Sequence, residues 1–289
     1  MDTKEILKKV RSIEIKTKGL SNHIFAGEYN TAFKGRGMTF SEVREYEIGD
    51  DLRTIDWNVT ARYNSPFVKV FEEEREITLM LMVDVSSSSS FGTNKRFKRE
   101  LVSEISAVLA FSAIKNNDKV GVIFFSDKIE KFISPSKGKK HILRIIKEIL
   151  TFKSTSKKTN IKKALEYFNR VTKKRSICFL LSDFFDSDFF DPIKLSAKRH
   201  DLVAVNTLDS RELEIPNVGL LSLQDSEEEN EILVDSSDKK FRENFKNQQL
   251  FRLEILKKEL RLSGADYIQL LTQEDIISPL INFFKKRKK

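Results

Sequence analysis

After Glu76 the chain alternates short apolar runs with longer stretches whose apolar positions recur every three to four residues. These are the patterns of buried strands and amphipathic helices. The runs predict strands over 77–84, 119–125, 176–182, 202–207 and 266–271, and the periodic stretches predict helices over 95–116, 138–151, 160–172, 190–199, 240–262 and 274–286. Residues 128–133 alternate in polarity directly after Ser126-Asp127 and predict a hairpin partner at the sheet edge. Strands alternating with helices imply an α/β fold: a doubly wound, mostly parallel sheet with helices on both faces and an antiparallel edge strand.

The remaining pattern is less regular. Residues 2–17 predict an amphipathic helix with Ile6, Leu7, Val10 and Ile13 on one side, ended by Gly19. From Ser21 to Arg75 the chain carries turns, aromatics and charges without sustained periodicity, so residues 1–75 are expected to form an irregular region packed on a main domain of residues 76–289. Between Pro216 and Asp238 two short apolar runs flank Asp225-Ser226-Glu227-Glu228-Glu229-Asn230-Glu231, which reads as a charged turn between two strands.

Composition narrows this picture only slightly. The excess of 52 Lys+Arg over 43 Asp+Glu gives a net charge of +9 in 289 residues, but the basic residues are spread along the whole chain. Only the tail Lys285-Lys286-Arg287-Lys288-Lys289 concentrates them, and it reads as a solvated helix end. The one cysteine, Cys178, sits in an apolar run and has no internal disulfide partner. No apolar stretch approaches the roughly 20 residues of a membrane span. A soluble protein of the reducing cytoplasm is expected.

The richest segment is Leu79-Met80-Leu81-Met82-Val83-Asp84-Val85-Ser86-Ser87-Ser88, an apolar strand that ends in an acid and a cluster of hydroxyls. Ligands of open α/β sheets sit outside the carboxyl ends of the strands. Three such places collect oxygen donors: Asp84 with Ser86 and Ser88, Thr159 before the helix near Asn160, and Asp183 after Phe179-Leu180-Leu181-Ser182. Few carboxylates and several hydroxyls suit a hard ion such as Mg2+, which takes about six oxygens at roughly 2.0–2.1 Å. The plainer alternative is that the serines cap the helix near Lys95 and Asp183 is a turn residue.

Asp84, Ser86, Ser88, Thr159 and Asp183 resemble the metal-ion-dependent adhesion site of von Willebrand factor A domains, with its Asp-x-Ser-x-Ser, distant Thr and distant Asp. The resemblance implies that the serines bind Mg2+ directly, with Mn2+ or Ca2+ as substitutes. It also implies that the acids act through water, and that one position stays open for a partner's acid. Many members carry glycine before the Thr and after the last Asp, whereas this chain has Lys158 and Phe184.

A second resemblance precedes the sheet. Gly35-Arg36-Gly37-Met38-Thr39-Phe40, the stretch from Val43 to Trp57 and the pair Ala61-Arg62 are similar to the prokaryotic family called domain of unknown function 58. That resemblance implies a non-enzymatic adaptor or co-chaperone acting with a MoxR-type AAA+ ATPase or its client. Physically, Arg44, Arg53 and Arg62, interleaved with Glu45, Asp50, Asp51 and Asp56, are expected to form an ion-pair network around Trp57 that fastens the segment to the sheet. A partner-binding surface is the alternative.

Two other classes stay open. A Mg-dependent phosphatase would use Asp84 as nucleophile, but Ser86 stands where such enzymes place their general acid. A basic nucleic-acid-binding protein would rest on the +9 charge and the tail alone. Phosphate-loop, dinucleotide and nucleophile-elbow patterns are missing, and His23, His141 and His200 have no metal-ligand spacing. Phe124, Phe125, Phe179 and Phe184 lie on or beside predicted core strands and read as packing.

Overall fold

The computed structural model describes residues 38–63, 65–73, 77–92, 96–224 and 231–287, together with positions 8, 11 and 12. Most of the helix expected over 2–17, residues 35–37 of the family signature, His23, the acidic turn at 225–230 and the last two lysines lie outside the described residues. Backbone contacts divide the chain into two compact units, one over 33–77 and one containing 78–289.

The first unit contains strand β1 (Met38–Glu45), helix α1 (Trp57–Tyr63) and strand β2 (Phe67–Glu73). The two strands pair antiparallel, with a register shift between Phe40 and Glu42. An inserted residue of this kind moves every later side chain to the other face. A regular two-stranded sheet therefore hides in a stretch whose sequence looked irregular. The expected network around Trp57 does not form: Trp57 is 70% exposed, and Arg53 and Arg62 are also exposed. The tightest pair is forked, Arg44 to Asp50 at 2.7 and 2.8 Å. Asp51 lies 3.9 Å from Arg53 and Asp56 3.4 Å from Lys69, and both also accept backbone N–H groups, of Arg53 and Asn58, each at 3.0 Å, and so cap the turns that follow them.

The second unit opens with β3 (Thr78–Asp84), α2 (Lys98–Lys115), β4 (Lys119–Phe125) and β5 (Ile129–Ser136). It continues with α3 (Lys139–Thr151), α4 (Ile161–Val171), β6 (Ile177–Ser182), α5 (Phe190–Arg199) and β7 (Asp201–Leu208). A short helix α6 (Ser210–Leu213), the hairpin β8 (Leu220–Gln224) and β9 (Glu231–Asp235), the long α7 (Lys239–Leu262), β10 (Asp266–Leu271) and α8 (Ile277–Arg287) complete it. Six strands form one sheet in the order β10-β7-β6-β3-β4-β5. Only β5 runs antiparallel, at the edge. This is the doubly wound sheet that the alternating pattern and the von Willebrand A resemblance both imply.

Successive side chains of a strand point to opposite faces, and both faces here are covered. Met80, Met82, Cys178, Leu180, Leu202 and Ala204 pack with Ile161, Leu165 and Phe168 of α4, Ile193 of α5, and Leu256 and Leu260 of α7. The alternate residues Leu79, Leu81, Phe179 and Leu181 are as deeply buried on the other face, where α2 contacts β3, β4 and β7. Helix α2 is buried nearly all round, which is why its core residues show no single apolar stripe. Gly121 of β4 leaves room for the edge strand: a Cβ there would meet Met80 Sδ at 2.8 Å and Pro135 Cγ at 2.9 Å.

Candidate metal centre

The site lies where the order of the sheet reverses, between the C-terminal ends of β3 and β6. These strands are adjacent and parallel, with Val83 level with Leu181, so Asp84 and Ser182 emerge side by side. Ser182 Oγ donates to Asp84 Oδ2 at 2.6 Å, and the Ser86 backbone N–H donates to Asp84 Oδ1 at 3.0 Å. Beyond Asp84 the serines form a single 3-10 turn, Ser87–Ser90. That turn brings the Ser86 and Ser88 hydroxyl oxygens to 3.1 Å from one another. Asp183, the next residue after β6, accepts from the Phe185 N–H at 3.3 Å and from the Ser88 hydroxyl.

The third loop is fastened to the first, with Ser87 donating from its backbone N at 3.2 Å and its Oγ at 3.1 Å to the carbonyl of Lys157. Asp186 holds the start of α4 by accepting the Ile161 N–H at 2.7 Å. Asp84, Ser88 and Asp183 line one small cleft with Ser89, Lys98, Val102, Leu181, Ser182 and Thr207. Its free volume of about 10 Å3 is roughly room for one water. Ser86 joins through Ser88, whereas Thr159, two residues beyond Lys157, does not line the cleft.

Residues 42–252 match the family described as "Protein of unknown function DUF58". The chain belongs to that family. Uncharacterized protein Rv1480 of Mycobacterium tuberculosis is 26% identical over 292 residues, covering 100% of this chain and 92% of that protein. Uncharacterized protein YeaD of Bacillus subtilis is 29% identical over 110 residues, 38% of this chain and 25% of YeaD. Among solved structures, an aerotolerance-related membrane protein of Bacteroides fragilis shares the fold, with a TM-score of 0.51 and 16% identity over 73% of this chain and 98% of that one. The SpRpn10 VWA domain aligns over 72% of this chain and 94% of its own, at 9% identity and a TM-score of 0.39.

The electrostatics of this DUF58 cleft contain a residue that the sequence pattern did not announce. Lys98, the first residue of α2, is 2% exposed, and its Nζ donates to Asp183 Oδ2 at 2.9 Å and to Glu212 Oε1 at 2.5 Å. Burial opposes the charge on Lys98, but the two carboxylates outweigh it and hold the ammonium above its ordinary range. Burial likewise opposes ionisation of Asp183, and Lys98 more than offsets this, holding Asp183 below the usual carboxylate range. Asp84 has no such cation among the described residues: burial, reinforced by the charge of Asp183, pushes it up to about 7. Glu212 is also raised by burial, against the pull of Lys98.

The side chains fit a small hard cation on two counts. Two ligand oxygens on adjacent corners of a Mg2+ octahedron stand about 3 Å apart, as the Ser86 and Ser88 hydroxyls do. Beside them, Asp183 and Glu212 are served by the bonded Lys98 ammonium and by the charge of Arg252, whereas no described cation is bonded to Asp84. The donors are mainly hydroxyls, and no group of three or more His, Cys, Asp or Glu side chains converges among the described residues.

The two departures from the adhesion-site pattern have different consequences. Phe184, in the place of a glycine, takes φ 56°, a left-handed conformation that costs an ordinary residue about 1–2 kcal/mol. Its ring is 4% exposed and packs 5.9 Å from that of Phe189. Lys158 is exposed and is not among the described non-glycine residues with positive φ, so its backbone makes no demand for glycine.

The other candidates separate cleanly. Phe124, Phe125, Phe179 and Phe184 are buried, so none offers a face for stacking bases. His141 binds the Val120 carbonyl at 2.8 Å, and His200 is buried against Phe168. Cys178 is a buried free thiol. Arg287 of the basic tail pairs with Asp201 and Asp266, at 2.5 and 3.1 Å. No described helix is long and apolar enough to cross a membrane.

Proposed function

We propose that this DUF58 protein is a non-enzymatic, cytoplasmic protein-binding adaptor or co-chaperone that works with a MoxR-type AAA+ ATPase or its client. Its cleft binds Mg2+ through the Ser86 and Ser88 hydroxyls, with Asp84 and Asp183 acting from the second sphere and Thr159 closing in from the third loop. A partner supplies an Asp or Glu carboxylate to the ion's open position. Bound there, the ion supplies an electrophilic charge for that carboxylate. The chain's own residues orient the hydroxyls, and the packed sheet ends and tied loops keep bulk water from the cleft.

The observation that carries this reading is the 3.1 Å approach of the Ser86 and Ser88 hydroxyls beside two carboxylates at the switch point of the sheet. A phosphatase is disfavoured by the same geometry, because each Asp84 oxygen is held by an internal donor. The test is copurification of partners from the native cell with and without chelator. Magnesium-dependent retention that is lost in Asp84→Ala and Ser86→Ala is expected. A complex indifferent to chelator would end the metal-bridged mechanism, and robust phosphate-ester turnover abolished by Asp84→Asn would replace it with an enzyme.

A further inference from the structure

The cleft already contains a cation. Lys98 lines it together with Asp84, Ser88 and Asp183, and its ammonium is fixed from the far side by a built network. Glu212 Oε1 accepts from Lys98, while Glu212 Oε2 accepts the Asp209 N–H at 2.8 Å. The Asp209 carboxylate in turn accepts the Thr272 hydroxyl at 2.6 Å and the Arg211 N–H at 2.9 Å. These bonds leave Lys98 little freedom, and they aim it at Asp183 Oδ2. The other oxygen of Asp183 accepts the Phe185 N–H. Any divalent ion that recruits Asp183 therefore competes with an ammonium 2.9 Å away.

We propose that Lys98 is the residue that sets the ion affinity of the cleft: it holds Asp183 for itself, so that a hard divalent cation binds on the Asp84–Ser86–Ser88 side alone and binds weakly. Like charges in a low-dielectric interior repel strongly, so the ammonium also opposes the ion directly. This inference rests on the metal-bridged reading above. It adds that occupancy follows the free ion concentration, and that the lysine is the residue to change if the site is to hold its ion tightly.

The decisive variant is Lys98→Met/Glu212→Gln, which removes one positive and one negative charge and so leaves the net charge of the cleft unchanged. Removing both members leaves Asp183 as the one stranded buried carboxylate instead of two, and circular dichroism checks the fold. Mn2+ binding to the full chain, stripped with chelator, is measured by titration calorimetry and by the loss of the free-ion paramagnetic resonance signal. Binding at least tenfold tighter than in the unaltered chain is expected, as it is for Lys98→Met alone. Equal or weaker binding by the double variant, with Asp84→Asn abolishing binding in both backgrounds, would overturn the role of Lys98 and leave the metal site standing. An increase in Lys98→Met that disappears in the double variant would also overturn it, as a mere charge effect. Absence of Mn2+ binding to every form would remove both the inference and the metal-bridged reading.

Discussion

The Lys98 ammonium and the Asp183 carboxylate lie 2.9 Å apart with side chains only 2% and 3% exposed, a buried pair that ties the start of α2 to the end of β6. Breaking such a pair from one side leaves an uncompensated charge, which costs about 3–5 kcal/mol. Lys98→Met is therefore expected to lower the unfolding free energy by about that amount in urea melts. Lys98→Met/Glu212→Gln should recover part of the loss, since one of the two stranded carboxylates is gone. Additive losses would show that Glu212 and Lys98 do not act as a unit.

Ion binding should depend on pH through Asp84. Its carboxyl is pushed up to about 7 by burial and by Asp183, while a cation in the cleft favours the ionised form. Binding then releases a proton below pH 7, and apparent Mg2+ or Mn2+ affinity should rise by up to about tenfold per pH unit toward 7 and level off above it. Calorimetry at pH 6, 7 and 8 in buffers of different ionisation enthalpy counts that proton directly. A flat affinity across this range would mean that Asp84 does not sense the ion.

Phe184 carries two opposing contributions that a pair of variants separates. Removing its buried ring costs about 3–5 kcal/mol, but glycine also relieves the left-handed backbone at φ 56°. Phe184→Gly should therefore be destabilised yet remain about 1 kcal/mol more stable than Phe184→Ala, the reverse of the usual order in regular structure. Urea denaturation of the two variants side by side checks the difference.

His200 should make stability rise with pH. Burial, with Arg199 and Arg175 nearby, depresses its pKa from 6.5 to about 4, and neither ring nitrogen has a hydrogen-bond partner among the described residues. A depressed base takes up its proton more readily when unfolded, so its contribution is present above about 6.5 and is lost as pH falls toward 4. Asp84 acts with the opposite sign, because its raised carboxyl makes the ion-free protein lose stability as pH rises through about 7. The difference between the unaltered chain and His200→Gln isolates the histidine, and its slope over this window should reach up to about 1.4 kcal/mol per pH unit. A difference that does not vary with pH would show that His200 titrates normally.

Much of the second unit could be read before any coordinates. Strands β4 and β10 and helix α5 span the ranges that the pattern predicts, and the ends of the other sheet strands differ by at most three residues. Burial on both faces writes strands as continuous apolar runs, and the turns between them are short. The first unit was less legible because the register shift in β1 scrambles a period-2 pattern, and because Trp57, expected at the centre of a charge network, is exposed. Lys98 was missed for a related reason. A lysine in the first turn of a helix looks solvated in sequence, and its only cue was the run of apolar residues that follows it around the whole helix.

By itself the sequence determined which residues stand at the ends of the strands, since an apolar run that stops at Asp84 or at Ser182 must leave the core there. It also determined the spacing that lets one tight turn bring Ser86 back to Ser88. Only the tertiary structure decided which charges meet. Lys98 lies 85 residues from Asp183 and 114 from Glu212, and they converge because β6 pairs beside β3 on the side away from β4. Local periodicity records whether a position is buried. It does not record what it is buried against, and in this cleft the balance between an internal ammonium and a bound ion depends on that neighbour.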